Sequence, residues 1–213
     1  MPAARRRGRP PDPQLAETRR RALVAAASEA FAQQGYAAAG IADIDARLES
    51  GHGTFYRHFE SKREILDHVV DDAIARLVAS VLPDPAALQT GSAEEFLALV
   101  DELIGRVFAV VDAEPDVLCL LLLETTSIDE AMTLRLLNAV EGVTGAVAAA
   151  LEDGVRDGFL RADLDTHAVA AQALYLLVPG LLRTIRGGLQ GEDRDRYRRG
   201  VVELLARGIA PAA

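Results

Sequence analysis

The spacing of the apolar residues constrains this chain most. From Leu15 to Ile209 they recur at the three-to-four-residue interval of an α-helix, and no segment alternates with the period of two of a half-buried strand. The fold class is therefore all-α. Breaks in the pattern divide it into about nine helices. Asp12 and Pro13 form an N-cap and first-turn proline, and Gly35 is the matching stop. Short helices are expected over 41–48 and 52–59. Ser61/Glu64, Ser92/Glu95 and Ser127/Glu130 each set a hydroxyl three residues ahead of a carboxylate, the spacing of a capping box. They predict helices over 61–81, 93–112 and 128–157. Others fit 117–125, 166–186 and 193–208, with PDPAALQTG (83–91) as the clearest linker.

Half of the 213 residues are apolar, enough for one large core or two small ones. The single Cys119 excludes an internal disulfide and a cysteine-based zinc site, and no metal or cofactor is expected. The start, MPAARRRGRPPDP, lacks the apolar stretch of a secretory signal. The longest apolar run, VLCLLLL (117–123), falls short of the roughly 20 residues that cross a bilayer. A cytoplasmic setting without a membrane is expected. The net charge of −9 is unevenly spread: residues 1–66 carry 11 Lys/Arg against 8 Asp/Glu, and residues 67–213 carry 12 against 24. A basic head on an acidic body confines any polyanion partner to the first third.

Within that head, HGTFYRHFESK (52–62) gathers unusual polar density. On a helical wheel Phe55 and Phe59 fall together on the buried side. Gly53, Thr54, Arg57 and His58 fan over the opposite arc, with His52 and Tyr56 at the boundary. Groups that fan outward do not converge on a reacting atom, and no nucleophile elbow or Ser-His-Asp order accompanies them. His52 and His58 lie on different faces, without the carboxylates that would complete a metal set. The chain is not expected to be an enzyme. A solvated face is the bland alternative, but such faces are usually rich in Glu and Lys. Phosphate suits the cluster, because Thr, Tyr, Arg, His and Lys all donate to phosphate oxygens. Gly53 lets the backbone approach base edges. Two short helices joined by a tight turn, the second with a polar face, form a helix-turn-helix.

The segment TRRRALVAAASEAFAQQGYAAAGIADIDARLESGHGTFYRHFESKREIL (18–66) resembles the DNA-binding domain of the TetR (tetracycline-repressor-like) family of bacterial transcriptional regulators. AF–QQGY, the I-x-D-I start of the second helix, GTFYRHF and SKREIL carry the likeness. The rest of the chain is similar only in helix number and length. The resemblance implies a homodimer, a recognition helix at His52–His58, phosphate contacts near Tyr56, His58 and Lys62, and an effector cavity in the second domain. Several positions depart from the family pattern. Asp45 stands where a small alanine packs, Glu49 where the turn takes glycine, and Ser50 where an aliphatic side chain is buried. Left-handed geometry at Glu49 would cost on the order of 1–2 kcal/mol. Gly51 replaces a serine cap, and Gly40 replaces a Thr or Ser that caps the second helix and touches phosphate.

The expected organisation is a basic arm over 1–12, a helix-turn-helix domain over 13–60, a connecting helix over 61–82, and a ligand-binding and dimerisation domain over 83–213. In the arm, Arg5, Arg6, Arg7 and Arg9 suit a narrow minor groove. Candidate ligand-lining residues are Val107, Phe108, Leu120, Leu136 and Val140. With no tryptophan and few aromatics, an aliphatic or acyl effector is expected rather than a stacked planar one. The stretch 169–185 is apolar on more than one side, as in a core or an interface, and predicts dimerisation through Leu174, Leu177, Leu181, Val201 and Leu205. Pro179 interrupts that helix. The function expected is a dimeric, ligand-responsive regulator, most often a repressor in this family, on a palindromic DNA operator. The alternative is a dimeric ligand-binding or protein-interaction module whose altered turn no longer reads DNA.

Overall fold

The computed structural model describes residues 13–48, 54–82, 88–124 and 128–210. Eight α-helices are found among them: α1 Pro13–Gln34, α2 Ile41–Ala46, α3 Lys62–Val81, α4 Ala93–Ala113, α5 Pro115–Cys119, α6 Glu130–Arg156, α7 Thr166–Ile185 and α8 Gly191–Ile209. The chain forms two compact units, 1–69 and 70–213, with the boundary inside α3. The expected cap at Asp12 and the linker core at 83–87 lie outside the described residues.

In the first unit, α1 ends at Gly35, whose φ of 80° is the left-handed geometry that glycine adopts without penalty. Its N–H closes on the Phe31 carbonyl at 2.8 Å. Helix α2 is shorter than 41–48, because Arg47 and Leu48 bond back three residues, to Ile44 and Asp45, and tighten the chain into a turn. The α-helix expected over 52–59 is replaced, among the described residues, by a single 3-10 turn at Phe55–Arg57. Leu23, Ala27 and Phe31 from α1, Ile44 from α2, Phe55 from the turn, and Ile65 and Leu66 from α3 are fully buried.

Two of the three capping boxes form. The hydroxyls of Ser61 and Ser92 accept from the N–H groups of Glu64 and Glu95, both at 3.1 Å. Each glutamate reaches one residue past the cap, to the N–H of Glu60 at 2.6 Å and of Gly91 at 2.8 Å. The third start is displaced. Asp129 caps α6, accepting from Met132 N–H at 2.9 Å, and aspartate serves there as well as serine. Ser127 lies outside the described residues.

In the second unit, the helix expected over 117–125 is divided. Proline opens α5 at Pro115, and the chain then loosens into a π-helical segment, Leu120–Glu124. Two buried clusters form the core. One joins Phe96, Leu151, Leu160, Ala170 and Ile209; the other joins Ile104, Phe108, Leu177, Leu189 and Val201. Helices α6 and α7 are long and apolar enough, by length and composition, to cross a bilayer, beyond the 117–123 run singled out above. Both give side chains to these clusters, as core helices of a bundle do.

Helix α7 runs through Pro179, which has no N–H for the ladder. The Tyr197 hydroxyl from α8 enters the opened ladder. It accepts from Gly180 N–H at 3.2 Å and donates to the Leu176 carbonyl. Glycine is required there, since a Cβ on residue 180 would lie 2.5 Å from Tyr197 Cε1. The tyrosine ring meets Phe108 of α4 edge-on at 6.4 Å. Arg194 lies 5.3 Å over the same phenylalanine and makes two bonds to Asp112, at 2.5 and 2.8 Å. Polar and aromatic contacts thus fix α4, α7 and α8 in one register.

Candidate functional site

Two features invite a functional reading, one in each unit. In the first unit the 3-10 turn presents Tyr56, 68% exposed, beside an exposed Arg57, with Thr54 and His58 half-buried. Phe55 and Phe59 anchor it from beneath, at 0% and 2% exposure. Arg20 of α1 holds its far end. One guanidinium nitrogen donates to the His58 carbonyl at 3.2 Å, another lies 2.6 Å from His68 Nε2, and the group sits 4.5 Å over the Phe59 ring. Sequence spacing gives no sign of this, because Arg20 and His58 belong to elements far apart in the chain.

Lys62, expected on phosphate, is placed differently. Its ammonium donates to the carbonyls of Tyr36, Ala37 and Ala39 at 2.8, 3.4 and 3.0 Å, and lies 4.5 Å over the Tyr36 ring. Its donors serve the chain's own turn after α1. Gly40 caps α2, and its N–H donates to the Asp43 carboxylate at 2.7 Å. Asp45 is buried at 8% exposure. Arg47 donates to the Asp43 carbonyl at 2.8 Å and to the Gln33 amide oxygen at 2.9 Å. Arg5, Arg6, Arg7, Arg9, His52, Gly53 and the altered turn Glu49-Ser50-Gly51 lie outside the described residues.

In the second unit, side chains of α4, α6, α7 and α8 border a partly open cavity of ≈ 90 Å³, with Val81 and Leu82 at the end of α3 on one side. Every described lining residue is apolar, and Phe96 is the one aromatic among them. Of the candidate lining residues, Val107 is on the wall. Phe108 and Leu120 are buried in packed core, while Leu136 and Val140 are half-buried off the wall. The dimer candidates also turn inward: Leu174, Leu177, Val201 and Leu205 line this cavity, and Leu181 packs on the Ile104–Phe108 cluster. The apolar side chains that α7 and α8 leave exposed are Tyr175, Val178 and Leu204. A helix apolar all round announces burial without saying which side faces in.

The second half of α3 is tied to this unit by charge. Arg135 of α6 makes two bonds to Asp71, at 2.6 and 2.7 Å. Arg76 makes two to Glu114, at 2.9 and 2.7 Å, and one to Asp72 at 3.0 Å. No cluster of His, Cys, Asp or Glu able to hold a metal occurs among the described residues.

With this geometry established, the chain was compared with known proteins. The family described as bacterial regulatory proteins, tetR family, matches residues 23–69. That match lies wholly within the first unit. Over 187 residues the chain is 22% identical to the fatty acid metabolism regulator protein of Bacillus subtilis (strain 168), spanning 88% of this chain and 93% of the relative. The fold is shared with the transcriptional regulator FadR from Bacillus subtilis, crystallised in complex with stearoyl-CoA: TM-score 0.70 and 20% identity, over 89% of this chain and 98% of that one. It is shared also with a TetR transcriptional regulator from Chloroflexus aurantiacus J-10-FL, at TM-score 0.76 and 19% identity, over 93% of this chain and 100% of that one. With that domain, the chain is a DNA-binding transcriptional regulator.

Proposed function

We propose that the chain is a cytoplasmic homodimeric repressor that holds a pseudo-palindromic operator and is released when a small apolar ligand fills the second unit's cavity. The observation that carries this reading is the cavity wall itself. Val81 and Leu82, at the end of the helix that begins in the first unit at Lys62, form part of it. A ligand that fills the space bears directly on the connecting helix. The bridges from Arg135 and Arg76 couple the same helix to α6 and to the residue that opens α5. In a dimer, two recognition segments reach successive major grooves roughly 34 Å apart, so a small change in their separation lowers affinity steeply. Tyr56 and Arg57 are the groups best exposed for phosphate, and Tyr175, Val178 and Leu204 the apolar groups left for a partner copy.

The test is a fluorescence-anisotropy titration of the full chain against its own upstream DNA at two salt concentrations. Arg57→Ala is expected to reduce the salt slope by about one unit, and removal of residues 1–11 by several. Folded protein that shows no salt-sensitive binding to any DNA would overturn the reading. It would favour the second one, a dimeric ligand-binding module. The occupation of the Gly40 N–H by Asp43 and of the Lys62 ammonium by carbonyls is what speaks for that alternative.

A further inference from the structure

We infer that the second unit's cavity takes a short aliphatic group, on the order of three to five carbons, whose polar end remains outside the wall. This rests on the effector-controlled reading above and specifies its ligand. Two observations carry it: the size of the space and the chemistry of its surface.

The cavity measures ≈ 90 Å³. An apolar cavity of about 150 Å³ lined by Leu, Ile and Phe stays dry and holds benzene, which sets the scale at a handful of carbons. A chain the length of the stearoyl group bound to the Bacillus subtilis relative exceeds it severalfold. The walls that would have to retreat include Ile104, Leu151 and Val201, all nearly fully buried in packed core. Dense packing of that kind resists dilation.

The surface offers nothing to a polar group. Leu103, Val107, Val147, Leu174 and Leu205 are typical of the wall, and no hydroxyl, amide or charged side chain is among the described lining residues. An ionised carboxylate or phosphate drawn inside would have no partner, and groups in that position stay in water instead. A planar ring would find one aromatic neighbour, Phe96, and gain little from stacking. A saturated chain meets carbon on every side.

A homologous series tests this on the full-length protein. Isothermal titration with 1-alkanols from ethanol to dodecanol is expected to show affinity rising about fourfold per added methylene, then levelling or falling at about three to five carbons. The matching alkanoates break at the same length, because the head lies outside. Leu103→Ala enlarges the space and moves the break to longer chains; Val147→Leu moves it to shorter ones. Circular dichroism and a cooperative melt verify folding, and Val143→Ala serves if Leu103→Ala does not fold. Affinity that climbs steadily to dodecanol, stearoyl-CoA that binds more tightly than every short alkanol, or a break unmoved by the variants overturns the inference. Operator binding measured on the same samples separates the two claims. A clear break with no release of DNA removes the effector-controlled reading and leaves the ligand class intact. Release by stearoyl-CoA alone does the reverse.

Discussion

Tyr197 shows how one hydroxyl can complete a helix that proline has opened. It both accepts and donates within the Leu176–Gly180 step, so Tyr197→Phe leaves a part-buried N–H and a carbonyl without that partner. The expected loss is about 1–3 kcal/mol, read from the midpoint of urea unfolding. Pro179 marks the interruption in the sequence. The residue that repairs it was not legible there, because it sits on another helix and its spacing encodes no contact. Lys62 carries a similar lesson. A lysine after GTFYRHFES reads as a phosphate ligand, yet three backbone carbonyls surround its ammonium. Lys62→Met is therefore expected to lower the stability of the protein by about 1–3 kcal/mol. Any protein that remains folded should keep its DNA salt slope unchanged. A slope that falls by one with stability unchanged would return Lys62 to the phosphate set.

Among the elements, most helix starts were legible, because a cap is a local bargain between one side chain and a nearby N–H. Ser61 and Ser92 both cap where their spacing placed them. What the apolar pattern does not encode is orientation. Leu174 and Leu177 turn to the cavity while Tyr175 and Val178 face out, and a helix apolar on several sides carries no signal to separate them. The pairing of α4 with α8 has a pH signature. The hydrogen bond from Arg194 holds the Asp112 carboxyl below its ordinary value of 3.8. A depressed pKa in the folded state stabilises above the unfolded value and ceases to do so as pH falls through the folded one. The melting temperature is thus expected to fall more steeply below about pH 4 in the parent than in Arg194→Ala, as differential scanning calorimetry would show.

The whole molecule divides its charge as it divides its labour. The acidic stretch 67–213 repels a polyanion, so productive encounters with DNA come head first, and the basic start of the chain steers them. That asymmetry was plain in the sequence; the cavity was not, since four helices must be assembled before it exists. Exposed bridges such as Arg135–Asp71 and Arg76–Glu114 add little stability, about 0–1 kcal/mol each. Arg76→Ala with Arg135→Ala should barely move the melting temperature. It should, however, shrink the difference in operator affinity between protein with and without butanol, measured by anisotropy. The bare carbon wall has a last consequence for what such a regulator can distinguish. Without a hydrogen-bonding vocabulary it gauges bulk and reads no functional group. Unrelated compounds of equal girth become the same signal, and xenon under pressure should speak to it as well as any metabolite.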